Sequence, residues 1–297
     1  MKKILVIGGT RFFGKKLVEQ CIAKGHQVTI ITRGYTEQPF KQQVEHIIVD
    51  RTDQQALKQA VANRDFDVAY DNICYSPNEA QQFCEIFNGH IGKLVFTSTM
   101  STYEMDGVEK TEEDFNPYDY PIQSGDTADF SYGEGKRLAE AVLYKEATFP
   151  VVTVRFPIVM GLDDYTRRLH FHIEHVLQQK PMGFSNMEAE MSFITADEAA
   201  TFLLFIGLSN LEGPYNATAN GTVSLQALIA LVEEATGQHA KISLLGDSTS
   251  RSPYAISQSW YMSNAKATKA GFEFTQLSQW LPQLIQAMTR EIRLHKD

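Results

Sequence analysis

Residues 3–24 read KILVIGGTRFFGKKLVEQCIAK, and this stretch decides the fold. Its first part, Lys3–Ile7, is a short apolar run typical of a buried β-strand. Its last part, Lys15–Lys24, has apolar residues at the spacing of an amphipathic helix. Glycines at both ends of the intervening segment, Gly8–Gly14, predict a tight turn that carries the strand directly into the helix.

The same alternation of strands and helices continues through the first 160 residues. Short apolar runs predict further strands at Gln27–Ile31, His46–Val49, Asp67–Tyr70, Lys93–Thr97 and Val151–Arg155. Apolar residues at helical spacing predict helices at Phe13–Ala23, Gln54–Val61, Glu79–Phe87 and Gly135–Lys145. Apolar strands between amphipathic helices predict an α/β fold with a doubly wound parallel sheet of the Rossmann type. Such a sheet binds its ligand at the C-terminal ends of the strands.

The glycine-rich turn is suited to the pyrophosphate of a dinucleotide. Glycine permits a tight turn and a close approach of the backbone, and a helix N-terminus offers N–H groups and the positive end of its dipole. We therefore assign cofactor contacts to every residue of the turn, which are Gly8, Gly9, Thr10, Arg11, Phe12, Phe13 and Gly14.

Two arginines favour NADP over NAD. Arg11 stands where a third glycine is usual. Arg33 follows the second predicted strand, where an NAD-specific site usually has an acidic residue for the ribose hydroxyls. Guanidinium groups in these places would suit a 2′-phosphate, so NADP is the favoured cofactor and NAD the alternative.

The pattern of elements changes after Arg155. Helices are predicted at Arg168–Gln179, Leu225–Thr236 and Leu277–Leu294, with a short strand at Pro214–Ala217. We expect residues 1–160 to form the dinucleotide-binding domain, which also receives residues 192–218. Residues 161–191 and 219–297 are expected to form a smaller, mixed α/β lobe on the substrate side.

A hydroxyl-rich strand end and a tyrosine–lysine pair predict chemistry at this site. The fifth predicted strand runs into Thr97-Ser98-Thr99, whose hydroxyls can orient a substrate oxygen. Tyr132 and Lys136 are four residues apart and share one helical face. A lysine ammonium, together with an oxidised nicotinamide, would lower the pKa of the phenol toward the working range.

With these motifs the chain resembles the extended short-chain dehydrogenase/reductase family, also called the NAD-dependent epimerase/dehydratase family. The resemblance covers nearly the whole length. It rests on Gly8-Gly9-Thr10…Gly14, Asp50-Arg51-Thr52-Asp53, Phe96-Thr97-Ser98-Thr99, Tyr132…Lys136, Arg155-Phe156-Pro157 and Phe193-Ile194-Thr195-Ala196-Asp197.

The resemblance implies a role for each matching residue. Thr99 would orient the substrate, Tyr132 would be the general acid/base, and Lys136 would hold the nicotinamide ribose and tune Tyr132. Asp50 and Asp53 would belong to the cofactor site, with Asp53 beside the adenine. The implied activity is hydride transfer on a sugar-like or other carbinol or carbonyl substrate by an epimerase, dehydratase or reductase.

Three departures from the family pattern bear on the substrate. The Gly8–Gly14 turn is similar to that of an atypical branch that includes chloroplast RNA-associated proteins. Ile158 and Met191 stand where nucleotide-sugar enzymes often have asparagine and arginine. These differences weaken the case for a nucleotide sugar and leave the cofactor prediction intact. The alternative to an enzyme is a dinucleotide-binding regulatory or RNA-associated protein without turnover.

Composition narrows the choice of partners. The chain has 297 residues and a net charge of −9, which argues against DNA and disfavours RNA. The expected partner is a small-molecule substrate. No membrane segment or CxxC pair is present, so a cytoplasmic protein is expected. The predicted helix bearing Tyr132 and that at 77–88 could pair in a homodimer, as in much of the family.

Two further segments have competing interpretations. His170, His172 and His175 invite a metal site, but on a helix only His172 and His175 share a face and His170 points away from it, so no metal is predicted. The stretch Tyr118–Phe130 precedes Tyr132 and could be a flap over the substrate. Arg167, Arg168 and Arg251 are the residues that could bind a substrate phosphate.

Overall fold

The computed structural model describes residues 1–244 and 249–294. Within them, parallel strands form a central seven-stranded sheet in the order β11-β6-β5-β4-β1-β2-β3. These strands are β1 (Lys3–Ile7), β2 (Gln27–Thr32), β3 (Glu45–Ile48), β4 (Val68–Asp71), β5 (Leu94–Thr99), β6 (Val151–Phe156) and β11 (Gly213–Asn216). The Rossmann-type α/β fold is therefore confirmed.

Helices cover both faces of the sheet. They are α1 (Phe12–Ala23), α2 (Gln54–Val61), α3 (Pro77–Phe87), α4 (Tyr132–Glu146) and α6 (Ala196–Leu208). Helices α1 and α6 pack together on one face, and α3 and α4 pack together on the other. Ile4 and Leu5 of β1 are both 0% exposed and belong to cores on opposite faces, as expected for a strand covered on both sides.

Helix starts differ from prediction where a cap lies outside the apolar pattern. Helix α4 begins at Tyr132 rather than at Gly135, because the Ser131 hydroxyl accepts a hydrogen bond from the Glu134 N–H. Helix α3 likewise begins two residues earlier than Glu79, with Ser76 as its N-cap and Pro77 in its first turn. These shifts place Tyr132 in the first turn of α4, beside the strand ends.

The second lobe packs around its own apolar cluster. Its helices are α5 (Arg168–Leu177), α7 (Leu225–Thr236) and α9 (Leu277–Leu294). The lobe also contains two-stranded sheets. They pair β7 (Ile158–Met160) with β10 (Phe193–Thr195), β8 (Pro181–Phe184) with β13 (Lys241–Leu244), and β9 (Glu190–Met191) with β12 (Val223–Ser224). In the described residues, no helix is long and apolar enough to cross a membrane.

After the chain enters the second lobe, some of its later segments return to the central sheet. Helix α6 and strand β11 return to the central sheet. Helix α8 (Ala265–Lys269) and the residues after it also turn back, although residues 219–297 were expected in the second lobe. Phe272 and Phe274 pack against Phe202 of α6, with ring centroids 4.9 and 5.5 Å away, in the core of the sheet.

The segment Tyr118–Phe130, for which the sequence left a flap over the substrate open, is bonded to helices α3 and α4. The amide of Gly125 donates to the Asn78 side chain at 2.9 Å, and the Tyr120 hydroxyl donates to the Glu134 carboxylate at 2.9 Å. These bonds hold the segment along α3 and α4.

The histidine cluster is part of the second lobe's packing. His172 is 0% exposed and stacks between Tyr254 and Phe184, with ring centroids 4.7 and 5.9 Å away. Burial lowers its pKa to about 3, so the ring is neutral. Across residues 1–244 and 249–294, no group of three His, Cys, Asp or Glu side chains is placed to hold a metal ion.

Candidate functional site

A cavity of about 790 Å³ opens at the C-terminal ends of strands β1, β2, β4 and β5. Helix α5 and Trp260 close it on the side of the second lobe. The predicted site residues that line it are Gly8, Thr10, Arg11, Phe12, Phe13, Gly14, Arg33, Asp50, Thr99, Tyr132 and Lys136. The structure therefore brings the glycine turn and the tyrosine–lysine pair into one cavity.

The glycine turn forms a cradle that side chains would fill. Gly8 has φ +84°, and a Cβ there would lie 2.6 Å from the Ile73 side chain. A Cβ on Gly14 would lie 2.5 Å from the Gly8 carbonyl oxygen. Gly9 lies behind the cradle, where a Cβ would lie 2.9 Å from Val18. The backbone is thus left open toward the cavity, as a pyrophosphate requires.

Phe12 holds the strained position of this turn. Its φ of +50° is left-handed, which is uncommon for a bulky residue. Phe12 is nevertheless fixed by edge contacts with the rings of Phe13 at 5.8 Å and Tyr165 at 6.2 Å. Strain held in place by packing is frequent where a protein binds a ligand.

The two predicted specificity arginines lie at one end of the cavity. The Arg11 Nε donates to the Thr36 hydroxyl at 2.9 Å. The Arg33 guanidinium lies 5.0 Å from the centroid of the Tyr35 ring. Hydrogen bonds from Thr52 lower the pKa of the Asp50 carboxyl, and the positive charge of Arg33 adds to this effect.

The residues of the motif at 50–53 do not all serve the cavity, because some of them stabilise the surrounding fold. Asp50 lines the cavity, whereas Asp53 caps helix α2 by accepting a hydrogen bond from the Ala56 amide at 3.0 Å. Arg51 turns inward and bonds both carboxylate oxygens of Asp71, at 2.8 and 2.7 Å. Asp71 raises the pKa of the buried Arg51 guanidinium. This pair ties the end of β4 to the loop after β3.

Thr99 and Tyr132 face each other at the opposite end. The Tyr132 side chain is 54% exposed, and partial desolvation of its hydroxyl by the surrounding protein raises the pKa of the phenol, while the Thr99 hydroxyl and the positive charge of Arg168 oppose that rise. Lys136 was expected to lower this pKa. Its Nζ donates to the Cys74 and Thr97 carbonyl oxygens, each at 2.7 Å, and the charge that opposes the rise is that of Arg168.

Sequence reasoning missed Asn72, which connects the cradle to the fifth strand. Its side-chain amide donates to the Gly8 carbonyl at 3.3 Å, and its oxygen accepts from the Thr97 hydroxyl at 2.7 Å. Asn72 follows β4 directly. The rule that ligands lie at the C-terminal strand ends would have marked it as a candidate.

Two glycines let helix α4 dock against the strand ends. A Cβ on Gly133 would lie 2.3 Å from the Ser101 carbonyl oxygen, and one on Gly135 would lie 2.4 Å from that of Tyr75. The backbones are therefore in direct contact on both sides of the first turn. This contact fixes Tyr132 and Lys136 relative to Thr99.

Gly135→Ala is expected to destabilise the fold by about 1–3 kcal/mol, since a backbone oxygen must move to admit the methyl group. The same displacement should weaken binding of the predicted dinucleotide, measured by fluorescence titration. The matched control is Gly237→Ala at the end of α7, where φ is +67° and no atom lies within 4 Å. That variant should lose stability alone, and an equal loss of affinity in both would contradict the docking argument.

Comparison with known proteins fits this geometry. Residues 4–76 match the family described as NAD dependent epimerase/dehydratase. This match covers the first strand, the glycine turn and the chain as far as Ser76. The resemblance drawn from the sequence is thus confirmed for the part of the chain that holds the cradle.

Two curated relatives match this chain over more residues than the family model does. Chloroplast stem-loop binding protein of 41 kDa b from Arabidopsis thaliana is 30% identical over 127 residues, which are 38% of this chain and 33% of that protein. UDP-glucuronic acid decarboxylase 1 from Xenopus tropicalis is 23% identical over 273 residues, which are 83% of this chain and 63% of that protein. The chain thus spans a third of one relative and less than two thirds of the other.

The fold extends over the whole chain. UDP-glucuronic acid 4-epimerase from Bacillus cereus, solved with UDP-glucuronic acid and NAD, superposes with a TM-score of 0.75 at 19% identity. The superposition covers 99% of each chain. The second lobe, which the family match leaves out, therefore has the same fold as in this epimerase.

Proposed function

We propose that the protein is an NADP-dependent enzyme that transfers hydride to and from a carbinol carbon of a sugar-like substrate. The observation that carries this proposal is that the glycine cradle and the Thr99, Tyr132 and Lys136 side chains line the same cavity. A small-molecule substrate is the expected partner. The buried free thiols of Cys21, Cys74 and Cys84 favour the reducing cytoplasm.

The chain's own residues divide the work of binding and proton transfer. The cradle amides would hold the pyrophosphate, and the Lys136 ammonium would hold the nicotinamide ribose. The nicotinamide, when bound, supplies or accepts the hydride. The Tyr132 hydroxyl would give a proton to the substrate oxygen in one direction and take it back in the other. The Thr99 hydroxyl would steady that oxygen.

Arg33→Ala tests the preference for NADP. The variant should lose about 10- to 100-fold in NADPH affinity, the worth of one charge-assisted bond, and keep its NADH affinity. Fluorescence titration with both reduced dinucleotides measures this. The control is Arg64→Ala, since Arg64 pairs with Glu45 at 2.5 Å and does not line the cavity. Equal losses for the two dinucleotides in Arg33→Ala would contradict the assignment.

One arginine indicates the substrate class. Arg167 pairs with Glu174, and Arg251 is exposed outside the cavity. Arg168 lines the cavity, and its side chain bonds to no other residue in the described parts of the chain. A guanidinium in that place suits an anionic group on the substrate. Two of the similar proteins are named for UDP-glucuronic acid, so a nucleotide-linked uronic acid is the proposed substrate.

The decisive experiment begins with the dinucleotide. Native mass spectrometry of the purified protein, followed by titration with NADPH and NADH, should show one dinucleotide per chain. Incubation with UDP-glucuronic acid and with UDP-glucose should then change the absorbance of the nicotinamide only for an accepted substrate. Absence of affinity for either dinucleotide would overturn the proposal.

A second candidate function follows from the chloroplast relative, whose name describes stem-loop binding. In that case the fold would bind RNA and catalyse no reaction. The net charge of −9 argues against it. A salt-dependent affinity for an RNA hairpin, without turnover of any sugar nucleotide, would favour it. The homodimer stays a prediction, which light scattering of the purified protein tests.

A further inference from the structure

The ammonium of Lys136 lies between two aromatic rings. Its Nζ is 4.7 Å from the centroid of the Tyr75 ring and 4.6 Å from that of the Phe96 ring. The lysine is 1% exposed and lines the cavity. An aromatic ring at this distance attracts a cation, and the attraction is larger where water is excluded.

The hydrogen bonds of Lys136 leave one donor for a ligand. A charged lysine has three N–H donors. Two of them are engaged by the Cys74 and Thr97 carbonyl oxygens at 2.7 Å. A neutral amine keeps only two N–H bonds, and the same carbonyls would take both. Lys136 can therefore donate into the cavity only while it is charged.

We propose that Tyr75 is a positioning residue for Lys136, because its ring braces the ammonium against Phe96 and keeps the third N–H directed into the cavity. The inference rests on the proposed function, since a nicotinamide ribose is the group that Lys136 would hold.

The backbone of Tyr75 is fixed firmly enough for this role. Its amide donates to the Glu79 carboxylate at 2.7 Å, which anchors the loop after β4 to helix α3. Its carbonyl oxygen lies against Gly135 of α4, with no room for a Cβ. The Tyr75 ring is also 6.2 Å from that of Tyr132. Tyr75 thus contacts both functional side chains of α4, whereas Phe96 belongs to the buried strand β5.

The charges around Lys136 do not by themselves fix the pKa of its ammonium. Burial lowers the pKa of the ammonium to about 8. Arg51 and Asp71 are paired with each other, so their opposite effects on Lys136 largely cancel. In the described residues, the titratable and charged groups that face Lys136 are Arg51 after β3, Asp71 of β4, Cys74 and Tyr75 in the following loop, and Glu79 of α3.

The test compares ring-keeping and ring-removing variants. NADPH affinity of the wild type, titrated between about pH 7 and about pH 10, should fall at least about tenfold as Lys136 loses its proton. Tyr75→Phe keeps the ring and should reproduce the wild-type curve. Tyr75→Leu should shift the midpoint about one pH unit lower, because a cation without the ring loses its proton more easily. Tyr75→Met is the second ring-free variant should the leucine protein fold poorly.

A second measurement does not need the cofactor. Acetic anhydride labels neutral amines, so the pH dependence of Lys136 acetylation, followed by peptide mass spectrometry, reports the same proton. Its midpoint should shift in Tyr75→Leu and stay in Tyr75→Phe. Tyr165→Leu is the control, since Tyr165 contacts Arg11 and Phe12 rather than Lys136, and its midpoint should equal that of the wild type.

The outcomes separate the two proposals. A labelling shift in Tyr75→Leu without any dinucleotide binding by the wild type would overturn the proposed function and support the brace. Dinucleotide binding with the same midpoint in wild type, Tyr75→Phe and Tyr75→Leu would overturn the brace and leave the proposed function standing.

Discussion

Tyr132→Phe is expected to lower turnover of the accepted substrate by about 10²–10⁴-fold, the usual share of general acid–base catalysis. The variant loses a single hydroxyl at the end of the cavity where Thr99 and Arg168 meet it. The ring and the helix start remain, so NADPH affinity should stay within about twofold of the wild type. Single-turnover absorbance of the nicotinamide measures the first quantity, and fluorescence titration the second.

The pH dependence of the wild type follows from the same hydroxyl. Partial desolvation raises the pKa of the phenol, so Tyr132 is protonated at neutral pH. Reduction of a carbonyl, for which the phenol gives a proton, should be flat with pH and decline only as that pKa is approached. Oxidation, for which the phenoxide takes a proton, should increase with pH up to the same point.

The control for this prediction is Tyr165→Phe. Tyr165 also lines the cavity and lies beside Arg11 and Phe12 at the cradle. Loss of its hydroxyl should change turnover far less than loss of the Tyr132 hydroxyl. Full turnover by Tyr132→Phe on the true substrate would show that another group moves the proton.

The fold could be predicted because a parallel sheet covered on both faces needs continuous apolar strands. Strand β1 and helices α2, α7 and α9 have the predicted bounds. Ser224 caps α7 and Gly237 ends it with φ +67°, as their types indicate. Helix caps depend on residues adjacent in sequence, so a single sequence is enough to locate the ends of such a helix.

The site could be predicted less completely, because a motif gives a position and not the direction of its side chains. Asp53 was expected beside the adenine and is a helix cap. Lys136 was expected to hold the nicotinamide ribose and tune Tyr132, and the motif did not indicate that its Nζ also bonds two carbonyl groups. The partners of Lys136 are distant in sequence, whereas Asp53 caps helix α2 through Ala56, three residues further on. The close approach of α4 to the loops after β4 and β5 also depends on residues distant in sequence. In the sequence itself, only Gly133 and Gly135 indicate it.

A buried ion pair stabilises the strands that carry the site. Arg155 of β6 and Glu140 of α4 are both 0% exposed, and Nη2 of Arg155 donates to the Glu140 carboxylate at 2.6 Å. The same carboxylate accepts from the Ser98 hydroxyl, next to Thr99, at 2.5 Å. Arg155 also donates to the carbonyl oxygens of Glu112 and Phe115, each at 3.2 Å. The pair therefore joins α4, β5, β6 and the segment that follows Thr99.

Glu140→Ala is expected to lower the free energy of unfolding by about 3–5 kcal/mol, because it leaves the Arg155 charge buried without its partner. Urea denaturation measures the loss. Arg64→Ala, which breaks the exposed pair with Glu45, should cost less than about 1 kcal/mol. The double variant Glu140→Leu with Arg155→Met removes both charges and should recover part of the loss, since two apolar side chains replace an ion pair better than one stranded guanidinium does. If Glu140→Ala cost no more than the surface variant, the pair would contribute nothing to holding β5 and α4 together, and the positions of Thr99 and Tyr132 would have to depend on the glycine contacts alone.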